Sequence, residues 1–333
     1  MEAEIAAPSE TSSLWGQVVR WIIGLGVAGL ACWLLARDLD WQELLAQLRE
    51  ADYAWVILGI LAIIGTFFIR ARRWQTLLFH SRVSLRSALT ALLVGQVVNM
   101  ALPMRGGDVA RAAWLGPERE TGTVEALGSI AIEKVWDLLA LLTCGVVLLI
   151  WMPLPPWFAR STWGTALVLG VGVGLLWTGL HWQQTLFDWA GRLLAYLPAG
   201  WDDALLPRLR RLASGLEAIR RTDTFVRVSV WTALNWGLGA LANWAALAAF
   251  GIPSGRAALL LLTGLMASGM VPTPAKLGIF EGVSVVCLAL FGVPTDQAVA
   301  IGVVLHLVVM VPPVVAAALL VLWSRLFDRE RAR

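Results

Sequence analysis

Charge is what this chain has least of. Only 15% of its 333 residues are Asp, Glu, Lys or Arg, against 58% hydrophobic, and the mean hydropathy is +0.72. A soluble protein of this size needs far more polar surface to cover its core, so a water-soluble globular fold is excluded and an integral membrane protein is expected. Lysine is nearly missing: of 26 basic residues only Lys134 and Lys276 are not arginine. Most of the basic residues sit in short loops, which reads as a topology signal facing anionic lipid and not as a nucleic-acid surface. There are three cysteines, Cys32, Cys144 and Cys287, all in apolar runs and without metal spacing, and they are read as packing residues. No phosphate-cradling glycine loop, no nucleophile with a paired histidine and no soluble region large enough for ATP can be found. No cofactor and no enzyme chemistry are therefore expected, and any energy must come from a gradient or from the substrate. The first apolar run is long for a signal peptide and lacks a small-x-small cleavage site, so it is read as a span.

What is abundant is apolar length, with nineteen tryptophans of the kind that favour headgroup level. A span needs about 20 mostly apolar residues. Six stretches qualify or nearly so: 18–36, 53–69, 123–151, 163–181, 225–250 and 297–323. Two more apolar runs are interrupted. Arginines cluster after the second span (Arg70, Arg72, Arg73, Arg82, Arg86), between residue 181 and the fifth span, and at the end of the chain. The opposite loops hold few, which puts both termini in the cytoplasm of what is expected to be a bacterial cytoplasmic membrane. Parity closes only if each interrupted run, 87–116 and 257–291, ends on the side where it began. Both are read as re-entrant hairpins, because a leg of about 16 residues covers roughly 24 Å. Two short crossings apiece would preserve parity equally.

The two interruptions resemble each other. "PMRGG" occupies 103–107 and "PAKLG" occupies 274–278: proline, any residue, a basic residue, any residue, glycine. Each half reads as span, amphipathic linker, span, hairpin, span, giving a first repeat at 1–155 and a second at 156–333. Three full spans per half insert the second repeat upside down. The expected fold is thus all-α and polytopic, with six full spans and two re-entrant hairpins in an inverted repeat. Paired Pro/Gly-interrupted segments point to a transporter site near the midplane, and irregular backbone at that depth survives only in protein or beside a wet cavity. A solvated surface loop is the plainer reading of the first turn.

Ionisable groups inside spans are costly and usually face a cavity or each other. Glu133 and Asp137, in "IAIEKVWDLLALL", are four residues apart on one helix face. They are expected to balance Arg105, Arg111 or Lys276, to carry a coupling proton or cation, or to act in acid–base chemistry; ion pairing that merely holds the hairpin tip is the structural alternative. His306, about nine residues into the last span, belongs with them in a coupling or charge-balancing role, or is a satisfied core histidine. Asn99, Asn235 and Asn243 are read as interhelical hydrogen-bonders, and "GVGVG" at 170–174 as a packing stripe.

Taken in order, "NMALPMRGGDVARAAWL", "SIAIEKVWDLLALL" and "PTPAKLGIFEG" resemble the flippase-like transmembrane region of the lysylphosphatidylglycerol synthase family. The family pattern, roughly N-x-x-x-P-x-R-x-G-[DE]-x-x-R, E-[RK]-x-x-D and P-x-P-G-G-x-G-x-x-E, is matched by Asn99, Pro103, Arg105, Gly107, Asp108, Arg111, Glu133, Lys134, Asp137, Pro272, Pro274, Gly278 and Glu281. Where the family usually has Gly-Gly, this chain has Ala275 and Lys276. The resemblance implies a stand-alone member without the aminoacyl-transfer domain. It implies movement of an anionic phospholipid or polyprenyl-type lipid-linked headgroup between leaflets, with Asn99, Arg105, Asp108, Arg111, Lys276 and Glu281 as substrate-binding residues. Arginine suits bidentate phosphate contact and lysine acts as a point charge. Two other readings stand beside it: an intramembrane enzyme acting on a lipid phosphate, and a non-transporting partner of a lipid-modifying enzyme.

Overall fold

The structure, a computed structural model, describes residues 10–37, 39–78, 83–101, 106–115, 123–181, 222–268 and 273–331. Among them are eleven α-helices and no strand: α1 (Glu10–Ala36), α2 (Trp41–Glu50), α3 (Tyr53–Leu77), α4 (Leu85–Ala101), α5 (Gly107–Leu115), α6 (Thr123–Trp151), α7 (Pro156–His181), α8 (Thr222–Ala249), α9 (Gly255–Ala267), α10 (Ile279–Ala289) and α11 (Thr295–Arg331). A short 3-10 turn, Pro274–Lys276, stands between α9 and α10. The amphipathic linker expected in the second half, 182–221, lies outside the described residues.

Local chemistry sets several starts. Asp40 caps α2, accepting from the Gln42 and Glu43 amides at 2.9 and 3.2 Å. Asp52 caps α3 through the Ala54 amide, and Ser254 caps α9 through the Ala257 amide. Pro156 opens α7, where its missing N–H is no loss. Helix ends nevertheless depart from the expected spans. α1 begins eight residues early, α3 continues eight residues past Ile69, α7 begins at 156 instead of 163, and α11 runs to Arg331. Apolar runs stop at the first charged residue, whereas a helix continues through any good helix former, arginine included. Three helices are long and apolar enough to cross a membrane: Tyr53–Leu77, Glu125–Trp151 within α6 and Thr295–Leu320 within α11. Shorter apolar helices include Leu85–Met100, Gly255–Ala267 and Ile279–Ala289.

The packing centre is the pair α3 and α8, flanked by α11, α4 and α9. Small residues allow close approach: the Gly59 position sits 3.5 Å from the Ala242 carbonyl and 3.9 Å from Ala245. Trp55 and Trp244 meet edge to face at 5.2 Å, and the Asp52 amide donates to the Ala249 carbonyl. Leu247, Leu261, Leu288, Ala300, Ile301 and Leu305 are fully buried around this seam. The outer faces are apolar as well, with Ile150 at 76% and Leu167 at 70% exposure, as a lipid-facing surface requires. The helix α2 is tied to the foot of α11, where the Asp40 amide donates to Asp296.

Two packing expectations need correcting. Nothing among the described residues lies within 4 Å of a Cβ built at Gly170 or Gly172, so these two glycines of the "GVGVG" stripe make no close helix contact there. Of the cysteines, Cys287 is buried and Cys144 half-buried, but Cys32 is exposed on α1.

Candidate functional site

The helix face that carries Glu133 and Asp137 turns toward α3. Because α3 runs on to Leu77, Arg73 arrives opposite that face and is completely buried. Its Nη2 donates to Glu133 Oε1 at 2.8 Å; its Nη1 donates to Asp137 Oδ1 at 2.7 Å and to Thr232 Oγ1 of α8 at 3.1 Å. From α5, Arg111 donates through Nη2 to the other oxygen of Glu133 at 3.0 Å. Glu133, 1% exposed, thus holds two guanidinium groups, one on each oxygen. The Arg111 guanidinium lies over the Trp74 ring at 5.0 Å, and Trp74 is held by its indole N–H donating to Ser129.

The network extends outward. Asp108 faces Arg111 Nε at 3.3 Å and takes Lys134 Nζ at 3.2 Å on its second oxygen. Arg73, Arg111 and Lys134 stand against Asp108, Glu133 and Asp137, and a fourth cation, Arg70 of α3, belongs to the same cluster of charges around Glu133. Pairing of this kind is what burial demands, since an uncompensated ion in such a place costs several kcal/mol, roughly. Arg73 Nε and Arg111 Nη1 remain buried without a hydrogen-bond partner among the described residues. Beside the network, between the ends of α3 and α8, opens a cleft of about 700 Å³ lined by Arg72, Gln75, Asp223 and Arg227.

The first broken turn is set by contact of backbones. Gly107 packs so tightly on α4 that a Cβ there would fall 1.9 Å from the Gly95 carbonyl. Asn99 Oδ1 accepts from the Gly107 amide at 2.9 Å and so joins α4 to α5. This bond occupies the Asn99 carbonyl, which was expected to contact substrate. Asn243 bonds within its own helix, to the Gly239 carbonyl, and not between helices as expected. Asn235 Oδ1 is buried without a partner among the described residues. Arg105, with Pro103, lies outside the described residues, as does Pro272.

The second turn carries a separate cluster. Ala275 and Lys276 adopt φ of 48° and 58°, and Gly278 follows at 76°. Left-handed backbone is costly for side-chain-bearing residues, so the Gly-Gly that the resembled family uses here has a steric reason, and this chain departs from it under strain. The turn is tethered by His306, whose Nε2 lies 2.9 Å from the Ala275 carbonyl. His306 Nδ1 lies 3.0 Å from Glu281 Oε1. Phe280 stacks on the His306 ring at 4.9 Å, and Lys276 Nζ sits 5.7 Å from the centre of the Phe280 ring. Glu281 and His306 thus pair with each other, while Glu133 and Asp137 pair with Arg73 and Arg111.

The two regions meet, since α4 packs against the 3-10 turn and against α11. A third feature is a small cavity of about 120 Å³ between α6, α7, α9 and α10, lined by Leu141, Gly145, Phe158, Leu260 and Cys287. Its hydroxyl groups are spent on their own helices: Thr162 donates to the Phe158 carbonyl and Thr263 to the Leu259 carbonyl. The lining therefore offers hydrocarbon only.

Arg73 is the residue that sequence reasoning placed wrongly. It was counted with the loop arginines after the second span. The available signal was the acid pair itself, since Lys134 points to another face of α6 and two buried carboxylates require cations from elsewhere.

The family described as the lysylphosphatidylglycerol synthase TM region matches residues 21–317. The chain belongs to that family. It is also similar to the protein named Glycosyltransferase AglD of Haloferax volcanii, with 28% identity over 130 residues. That stretch is 38% of this chain and 21% of the relative, so only about a fifth of the relative's length is shared. No solved structure matches the chain. Family and composition together make this a membrane protein whose function concerns membrane lipid.

Proposed function

We propose that the chain is a flippase-like transporter that moves a lipid with an anionic phosphate headgroup between leaflets, without changing its covalent structure. One observation carries this reading: Arg111, almost fully buried on a broken hairpin, has a guanidinium shared between Glu133, Asp108 and the Trp74 ring, with Nη1 left without a hydrogen-bond partner among the described residues. A phosphate oxygen is a natural partner for such a nitrogen, because a guanidinium N–H makes a charge-assisted hydrogen bond to phosphate. At rest the carboxylates offset most of the positive charge of the site; a headgroup phosphate would take over part of their pairing. The arginine-lined cleft between α3 and α8 offers an entry from the membrane surface.

The transport reading includes six full spans, two oppositely inserted re-entrant hairpins and cytoplasmic termini, in a bacterial cytoplasmic membrane. Reciprocal packing supports the inverted repeat. α4, the leg of the first hairpin, packs on α11, the last helix of the second half; α9, the leg of the second, packs on α6, the last long helix of the first half. The pair α3 and α8, the second span of each half, forms the centre between them. A pseudo-two-fold axis in the membrane plane would produce this exchange.

The test is leaflet exchange of fluorescent phosphatidylglycerol, beside a zwitterionic control lipid, in proteoliposomes of the purified protein, with the lipids analysed afterwards for covalent change. Exchange of intact anionic lipid above empty vesicles supports transport. Altered lipid would favour an intramembrane enzyme instead. A second reading, a module that serves a lipid-modifying enzyme, is favoured by the likeness to part of a glycosyltransferase; it expects no exchange without such a partner.

A further inference from the structure

The His306 ring has two hydrogen bonds and both constrain its protons. The Ala275 carbonyl can only accept, so His306 Nε2 must carry a hydrogen and donate to it at 2.9 Å. The remaining nitrogen, Nδ1, faces Glu281 Oε1 at 3.0 Å. If that carboxyl is ionised, Nδ1 must also carry a hydrogen and the ring is imidazolium. If the ring is neutral, the carboxyl must carry the hydrogen and donate to Nδ1. Either way one proton lies on the line between Nδ1 and Oε1, and the pair with it is neutral overall.

We propose that His306 and Glu281 form a proton-binding site whose occupancy tethers the strained Lys276 turn. With the proton bound, both ring nitrogens are satisfied and the turn is held. When the proton leaves to water, one N–H remains for two acceptors, the Glu281 carboxylate and the Ala275 carbonyl. A carboxylate is the stronger acceptor, so the hydrogen moves to Nδ1 and the Ala275 carbonyl is released. Ala275 and Lys276, held at φ of 48° and 58°, then lose the side-chain tether at the Ala275 carbonyl and keep the hydrogen bond from the Lys276 amide to the Thr273 carbonyl. Lys276 is carried by that turn, so protonation sets where the cation sits.

The seat of this pair is rigid where it must be and polar where a proton must pass. Gly302, one turn before His306, lies so close to α10 that a Cβ would fall 2.7 Å from the Glu281 Cα, which fixes the two helices at the pair. His306 lies eleven residues into α11, roughly 16 Å along it, inside its most apolar stretch. Glu281 Oε2 and the hydroxyls of Ser284 and Thr273 are buried without partners among the described residues. Ser284 is on the Glu281 face of α10, three residues on. Lys276 is the charged neighbour, over the Phe280 ring that stacks on His306. On α1 the Cys32 thiol faces Gly278. Residues 87–101 of α4 and 54–69 of α3 contain no charged residue, and α11 has only Asp296 before His306.

The use of this site for coupling rests on the transport reading; the site itself does not, and the experiment separates them. The full chain, with its three cysteines replaced by alanine, carries a nitroxide at Leu277→Cys, an exposed position on the turn. Its spectrum is followed in lipid nanodiscs from pH 5.5 to 9. The mobile fraction should rise at least five-fold as pH rises. In Glu281→Gln the amide donates to Nδ1 while Nε2 keeps Ala275, so the label should stay immobile at every pH. A label whose mobility is the same from pH 5.5 to 9 in the Glu281 background overturns the proposal, whether or not the Gln variant folds. A pH-dependent turn in protein that exchanges no lipid keeps the proton site and removes the cargo reading; lipid exchange with a pH-indifferent turn does the reverse.

Discussion

Arg73 Nη2 lies 2.8 Å from Glu133 Oε1, with both side chains 1% exposed and sixty residues apart in sequence. The contact joins α3 to α6, and the other nitrogen of the same guanidinium reaches Asp137 and, on α8, Thr232. One side chain thereby ties together three helices and pairs with two carboxylates at once.

Removing Arg73 should therefore be more damaging than removing any exposed arginine. Arg73→Ala leaves Asp137 without its guanidinium and Glu133 with one cation in place of two. Breaking a buried pair in this way costs about 3–5 kcal/mol. Thermal unfolding in detergent should show a large fall in midpoint, against little change for Arg72→Ala, whose side chain is exposed and donates to Gln75 at 3.4 Å. Equal midpoints for the two variants would mean that the network does not hold the helices together.

The turn between α4 and α5 depends on the absence of a side chain. At Gly107 a methyl would strike the Gly95 carbonyl and the Asn99 side chain, and neither can retreat without separating the helices. Gly107→Ala should lower stability by at least about 1–3 kcal/mol, the usual range for overpacking, and should loosen the Arg111 contact to Glu133 carried by the same helix. Gly282→Ala is the control, since open space surrounds that position. Thermal midpoints of the two variants, measured side by side, decide the matter.

These residues show what the sequence could and could not reveal. The interruptions at 102–106 and 268–278 were legible because proline and glycine punctuate any helix, and helices α4, α5, α9 and α10 flank them. The i, i+4 acid pair was legible from periodicity alone. Arg73 was not, because an arginine after an apolar run looks the same whether the helix ends or continues for two more turns. The pairing of Glu281 with His306 was hidden for another reason: twenty-five residues separate them, and only the close approach of α10 to Gly302 brings them together. Long-range packing has no local signature.

The strained turn gives a prediction of opposite sign. Ala275→Gly removes a Cβ from a left-handed residue, so it should stabilise the protein by up to about 1 kcal/mol. Ala275→Val places a branched side chain at φ of 48° and should destabilise it by more than that amount. Both keep the carbonyl that His306 contacts. A rise in thermal midpoint for valine, or a fall for glycine, would show that the turn relaxes to ordinary backbone in the folded protein.

The transport reading turns on what Arg111 offers that a lysine cannot. Arg111→Lys keeps a positive charge near Glu133, so the buried carboxylate stays compensated and most of the fold energy survives. A lysine ammonium is a single point charge, though, and cannot present parallel N–H groups to carboxylate and phosphate together. It also gives up the guanidinium stacking on Trp74. Charge-assisted hydrogen bonds are worth roughly 1.5–3 kcal/mol, so exchange of fluorescent phosphatidylglycerol should fall about ten- to a hundredfold while the protein stays folded. A zwitterionic lipid carries the same phosphate, and its exchange should fall by a similar factor if the phosphate is what Arg111 contacts. If Arg111→Lys moves anionic lipid at the original rate with an unchanged thermal midpoint, then the unpartnered Nη1 is a feature of packing, and the headgroup must be bound elsewhere, with the arginine-lined cleft between α3 and α8 the next place to probe.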